Sequence, residues 1–295
     1  MSEAGIRAIA VASGKGGVGK TNVVANLALA LRRRRKRVII VDADLGLANL
    51  DTLLGLNPRA NLRHVLAGER SIEDVLVDGP AGMKVVPAAS GVAELTSLTQ
   101  AQRVMLLEQV GRLDEAFDVL LLDTGAGISA NVLFFAVAAH ETLVVLTPEP
   151  TSLTDAYALI KVLSTHHGEQ RFGVLVNMAK TESEAKRTFA HLARVAERFL
   201  HVSLEYHGFV PYDDELPEAV RRQQALLELA PSSPASRAFE ALADRMLMGS
   251  ALGKPKGGLQ FFLRCALALA EPGAPGHEPG ARTANGECEA EGRIG

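Results

Sequence analysis

Tryptophan is absent from this chain and aromatic residues make up only 4% of it, which argues against a carbohydrate surface or a platform for stacked bases. Cysteine is almost as scarce. Cys265 and Cys288, the two present, lie close to the C-terminus, so neither staples a core, and the pattern suits a reducing cytosol. No apolar run approaches the ~20 residues that a membrane span needs. A strand begins almost at Met1, so no secretory leader is expected. Positive charge is not in excess either: 31 Lys and Arg face 34 Asp and Glu, a net −3, and no global attraction to nucleic acid follows. Internal repeats are missing too. What remains is a chain of 295 residues, 47% hydrophobic, enough for one large packed domain with appendages.

The most informative stretch is Ser13-Gly14-Lys15-Gly16-Gly17-Val18-Gly19-Lys20-Thr21-Asn22. Gly14, Gly19, Lys20 and Thr21 fit the phosphate-binding frame G-x-x-x-x-G-K-[ST]. Backbone N–H groups of Gly14 to Asn22 would cradle phosphate oxygens at a helix N-terminus. Lys20 would reach the β- and γ-phosphates, and the Thr21 hydroxyl would ligate Mg²⁺. An apolar strand over residues 6–12 and a helix over 22–31 supply the required context. Lys15 is unusual, because an ordinary loop needs no charge there. It is either an extra cation for its own nucleotide or a lysine that crosses a dimer interface to the partner's phosphates.

Strand-like runs recur at residues 37–42, 119–123, 142–147, 171–177 and 202–210. Helical patterns alternate with them at 99–113, 129–139, 152–165, 182–199 and 236–248. Continuous apolar strands such as Val119-Leu120-Leu121-Leu122 imply a sheet covered on both faces. The expected fold is α/β, a doubly wound, mostly parallel sheet with helices on both faces, of the P-loop NTPase class. Ligands of such sheets bind beyond the C-terminal strand ends. The ATPase domain is expected over 1–249, a linker over 250–258, a short amphipathic helix over 259–270 and a disordered tail over 271–295. The run Arg32-Arg33-Arg34-Arg35-Lys36-Arg37 reads as a solvated helix end, with an anionic partner or lipid contact as the alternative.

Carboxylates stand at two strand ends. Asp123 opens Asp123-Thr124-Gly125-Ala126-Gly127 after four apolar residues, where a P-loop NTPase holds Mg²⁺. Val41-Asp42-Ala43-Asp44 places two carboxylates on opposite sides of an extended chain. Asp42 would look toward the metal shell and Asp44 toward the attacking water, unless one merely caps the next helix. Asn177, at another strand end, and the loop Val210-Pro211-Tyr212-Asp213 would read the adenine edge, with turn formation as the alternative.

Together these segments resemble the deviant Walker ATPases of the MinD/ParA group. Leu45-Gly46-Leu47-Ala48-Asn49-Leu50-Asp51, the stretch from Pro148 to Lys161 with its Thr154-Asp155-Ala156-Tyr157, and Gly258-Leu259-Gln260-Phe261-Phe262 are similar to the FlhG-type flagellar number regulators within it. The resemblance spans residues 6–268. It implies an ATP- and Mg²⁺-dependent homodimer that hydrolyses ATP slowly, with Lys15 reaching the partner's nucleotide and Asp44 orienting water. Implied partners are a flagellar master transcription activator of the AAA+ enhancer-binding type, the SRP-like GTPase FlhF and flagellar switch-complex proteins. Only residues 1–5 precede the first strand, so the family's N-terminal GTPase-activating helix is not expected.

Leu259, Phe262, Leu263, Ala266, Leu267 and Ala270 form one apolar helical face, with Lys254 and Lys256 before it. By the resemblance this helix attaches reversibly to the inner face of the cell membrane; otherwise it docks on its own domain or a partner. A cytoplasmic protein is expected. The main alternative is a ParA-like DNA- or cargo-partitioning ATPase, which would need an extended basic surface.

Overall fold

A computed structural model of the chain describes residues 6–89, 97–113 and 116–248. The expected linker 250–258, amphipathic helix 259–270 and tail 271–295 lie outside the described residues. Eight strands form a single sheet in the order β3-β4-β2-β5-β1-β6-β7-β8. They are β1 (Arg7–Ser13), β2 (Val38–Ala43), β3 (Val77–Asp78), β4 (Lys84–Val86), β5 (Val119–Ala126), β6 (Glu141–Leu146), β7 (Arg171–Ala179) and β8 (Ser203–Pro211). Among the described strands only the β3–β4 pair is antiparallel. The chain winds outward from β1 to β2 and β4, returns to insert β5 beside β1, then winds outward on the other side through β6, β7 and β8. β1 therefore lies centrally, and the loop after it opens where the winding direction reverses.

The described helices are α1 (Lys20–Arg33), α2 (Leu50–Leu53), α3 (Leu62–Leu66), α4 (Gln100–Gly111), α5 (Ala130–Ala138), α6 (Pro150–His167), α7 (Glu182–Phe199), α8 (Glu215–Arg221), α9 (Leu226–Leu229) and α10 (Pro234–Met248). Local chemistry sets several ends. Thr99 and Gln102 form a capping box for α4, and Thr181 accepts from Glu184 N at the start of α7. Pro150 opens α6, and Gly168 in the left-handed region closes it. α7 spans the residues read from its pattern. α2 falls within the helix expected near residues 47–53, whereas the short β3, β4, α3, α8 and α9 were not foreseen.

One face of the sheet is covered by α1, α9 and α10, which bury Leu27, Leu31, Leu226, Phe239 and Leu242 with inward residues of β1, β2 and β5. The opposite face carries two apolar clusters, one beneath α3, α4 and α5 and one beneath α6 and α7. Each fully buried Leu, Ile or Phe contributes ~1.5–3 kcal/mol by leaving water. Inward residues from both faces explain the uninterrupted apolar strands.

The basic run is only partly solvated: Arg33, Arg35 and Arg37 are exposed, yet several of its members are paired. Arg33 pairs with Glu240 and donates to Leu227 O. Arg34 binds Glu240 and both oxygens of Asp244. Arg32 donates to Ala81 O and Lys36 O, and Arg37 pairs with Asp118. Arg33 and Arg34 thus clamp the end of α1 to α10, with carboxylates that lie some 200 positions later in sequence. The Arg34 guanidinium is held well above its usual pKa by Asp244, working against its own partial burial, with Glu240 adding to the shift.

Candidate functional site

Ser13 to Gly19 link the buried end of β1 to α1, and helix geometry begins at Lys20. Two glycines are required by space as well as conformation. A Cβ on Gly14 would stand 2.0 Å from the Asp155 carbonyl oxygen in α6. Gly19 caps α1 at φ 82°, in the left-handed region. The Ser13 hydroxyl donates to Lys15 O at 2.9 Å. Gly127 N donates to Ser13 O at 2.8 Å, tying the loop after β1 to the loop after β5.

Asp123 is next to Val11 and Asp42 in register and is 2% exposed. Its Oδ1 has no hydrogen-bond partner, and Lys20 Nζ stands 3.9 Å from it. Burial raises the Asp123 carboxyl to a pKa of about 6, against the lowering effects of Lys20 and Thr21, while Asp44 adds to the rise. A buried carboxylate oxygen without a partner, beside a lysine and a threonine hydroxyl, fits a divalent cation. Among the described residues no three His, Cys, Asp or Glu side chains converge on a metal-sized point. Such a cation would therefore draw ligands from Thr21, Asp123, waters and phosphate oxygens, the usual arrangement for Mg²⁺.

The strained carboxylate yields a prediction. A pKa raised from 3.8 to about 6 means that the fold binds more protons than the unfolded chain between those values. Stability from this group is therefore greatest at low pH and falls as pH rises through about 6. Asp123→Asn should stabilise the nucleotide-free protein at pH 7.5 by up to about 3 kcal/mol, with the gain vanishing near pH 4. Thermal melts across pH 4–8 measure it, and a variant that melts lower than the parent at pH 7.5 refutes it.

Asp42 lies beside Asp123, but its oxygens face backbone. Oδ1 accepts from Asp44 N at 3.1 Å and Oδ2 from Leu50 N at 3.4 Å. Burial, then the charge of Asp123, push its pKa well up. Asp42 thus caps the β2–α2 turn while lying in register with Asp123. Asp44 accepts from Leu47 N through Oδ1, which is 3.5 Å from the point where a Gly125 Cβ would stand. The two carboxylates of Asp42 and Asp44 do take different surroundings.

Lys15 is held within its own chain, on Glu149 Oε2 at 2.7 Å and Thr151 Oγ1 at 3.0 Å. Those partners were missed, although the strand end before Pro148 signals a site-facing loop. Asn177 is 2% exposed, and its Nδ2 donates to Val18 O at 2.7 Å, so one N–H of the amide faces the phosphate loop. Asp213 takes partners in its own chain. Its Oδ1 accepts from Glu215 N and its Oδ2 from Ala235 N, so the side chain caps α8 and α10, as the turn-forming alternative had it. Pro211 ends β8 beside Ala179, close to the end of β7.

Comparison with known proteins agrees with this geometry. The CobQ/CobB/MinD/ParA nucleotide binding domain matches residues 9–227. The antiactivator FleN of Pseudomonas aeruginosa is 48% identical over 258 residues, covering 88% of this chain and 92% of FleN. The flagellum site-determining protein YlxH of Helicobacter pylori is 34% identical over 87% of this chain and 88% of its own. The septum site-determining protein MinD of Pyrococcus horikoshii, solved with Mg-ADP, superposes with a TM-score of 0.70 at 26% identity, covering 83% of this chain and 98% of that one. A phosphate loop at the centre of a doubly wound sheet, a buried carboxylate opposite its lysine and a match over most of the chain lead to one assignment: this protein belongs to the CobQ/CobB/MinD/ParA family of nucleotide-binding domains.

Proposed function

We propose that the chain is an ATP-dependent dimerising switch that regulates flagellar number. The observation that carries this reading is the pairing of Lys20 with the unpartnered Asp123 oxygen beneath a loop that holds a second, displaceable lysine. The protein is an ATPase of its family, working with ATP and Mg²⁺. The loop from Gly14 to Asn22 binds the phosphates, Lys20 neutralises the terminal ones, and Thr21 with Asp123 holds Mg²⁺. Held by Thr21 and Asp123, Mg²⁺ would supply charge neutralisation to the phosphates. Asp44 sits at the mouth beside Gly125, where it orients the attacking water. Lys15 leaves Glu149 and reaches the partner subunit's nucleotide, so that only the ATP form dimerises.

The likeness to an antiactivator and to a flagellum site-determining protein supports a regulatory target within flagellar biogenesis. The finer reading is restraint of a flagellar master transcription activator of the AAA+ type, cooperation with an FlhF-like GTPase and contact with switch-complex proteins. Among the described residues no helix is long and apolar enough to cross a membrane. Reversible attachment to the inner membrane face would fall to residues 259–270, two copies acting together in the dimer. The Arg33–Arg34 clamp removes two charges from the basic run, which weighs against the DNA-partitioning alternative.

Deleting the gene should give extra or misplaced flagella. The purified protein should form dimers with ATP and not with ADP, and the ATP form should lower the activator's transcriptional output. Normal flagellar number together with ATP-dependent DNA binding would replace this reading with the partitioning one.

A further inference from the structure

Three features at the end of β7 converge on one peptide unit of the phosphate loop. Met178 takes φ 57°, a left-handed conformation unfavourable for a non-glycine residue. It is also the extra residue of a bulge, since Asn177 pairs with Val210 and Ala179 with Pro211. The bulge turns the buried Asn177 amide onto Val18 O. Gly19 then packs so closely on this corner that a Cβ there would lie 2.5 Å from Asn177 Nδ2 and 3.1 Å from Met178 Cε.

Resting on the nucleotide reading above, we infer that Asn177 is a positioning residue: it orients the Val18–Gly19 peptide so that the Gly19 N–H points into the phosphate cradle. The chain contains no cis peptide bond among the described residues. In a trans peptide the C=O and N–H point in opposite directions. Drawing the Val18 carbonyl outward to Asn177 therefore aims the Gly19 N–H the other way, into the loop. Without the amide the peptide is free to flip, presenting a carbonyl to an anion where a donor is needed. The backbone strain at Met178 is then part of preorganising the loop, since it is what places the amide there. This role acts on the phosphate chain through the loop.

The test separates this role from base reading. Binding of Mg·ATP, Mg·GTP and Mg·tripolyphosphate is measured by competition for parent, Asn177→Ala and Asn177→Asp. A positioning residue predicts that Asn177→Ala weakens all three by the same factor, about tenfold, or ~1.4 kcal/mol. Loss confined to ATP, with tripolyphosphate unchanged, would make Asn177 a base reader and overturn the proposal, as would no loss at all. Parent protein that binds none of the three refutes the nucleotide reading itself. Asn177→Asp adds a pH-dependent readout. Only a protonated carboxyl can donate to Val18 O, so this variant should lose much more affinity at pH 8 than at pH 6, relative to the parent at each pH. Should Asn177→Ala not fold, the three ligands are compared with Asn177→Asp at pH 6: equal loss supports the proposal, and loss confined to ATP, or none, overturns it.

Discussion

Lys20→Ala should lose ATP binding by about 10²–10⁴-fold, whereas Lys15→Ala should bind ATP within a few-fold of the parent and fail to dimerise. The two lysines differ in their surroundings. Lys20 is the first residue of α1, has a side chain only 10% exposed and stands 3.9 Å from Asp123. Truncating one member of a buried, charge-assisted contact costs ~2–5 kcal/mol, much of it from the charges left unpaired. Here those are a triphosphate and Asp123. Lys15 has a side chain 38% exposed, and its partner Glu149 is 63% exposed. A pair so open to water contributes at most ~1 kcal/mol, so Lys15 can be released at little cost to the fold. ATP titration and sedimentation of both variants decide the matter. Equal loss of ATP affinity with dimers intact in Lys15→Ala would remove the cross-subunit role.

Asp44→Ala should retain ATP and accumulate as a dimer, with hydrolysis slowed ~10²–10⁴-fold, or about 3–5 kcal/mol of barrier. The phosphate loop and Asp123 do not depend on the Asp44 side chain for position. What Asp44 holds is Leu47 N, at 3.1 Å, in the turn that leads to α2. Its removal therefore loosens that turn and takes away the carboxylate beside Gly125, leaving the cradle intact. It also relieves Asp123 of one repulsive neighbour, which favours binding of the metal–nucleotide. Single-turnover hydrolysis and sedimentation with ATP measure both effects. Parent-rate turnover would send the water-orienting role to another residue.

The separation between what was legible and what was not follows sequence distance. β1, the phosphate loop and α1 form one continuous segment, so glycine spacing, an apolar run and a helical pattern reveal the cradle together. Asp123 was legible for a similar reason: four apolar residues ending in a carboxylate is a local pattern. α7 was legible because its apolar stripe is long and one-sided. β3 and β4, with two and three residues, are too short for any period to register, and α9 has the same difficulty.

What the chain's order of residues determined alone was the set of parts: a phosphate loop with two lysines, carboxylates at strand ends and an alternation that permits one doubly wound sheet. Tertiary structure decided which polar groups each part would spend on the protein itself. Arg34 became a clamp because α10 brings Glu240 and Asp244 to it, and Asp213 became a cap because two helix starts meet there. Asn177 turned to Val18 because a bulge in β7 aims it so. In each case the partner lies far away in sequence or behind a backbone irregularity. A buried polar group must find a partner wherever the fold supplies one, and no local pattern records where that is.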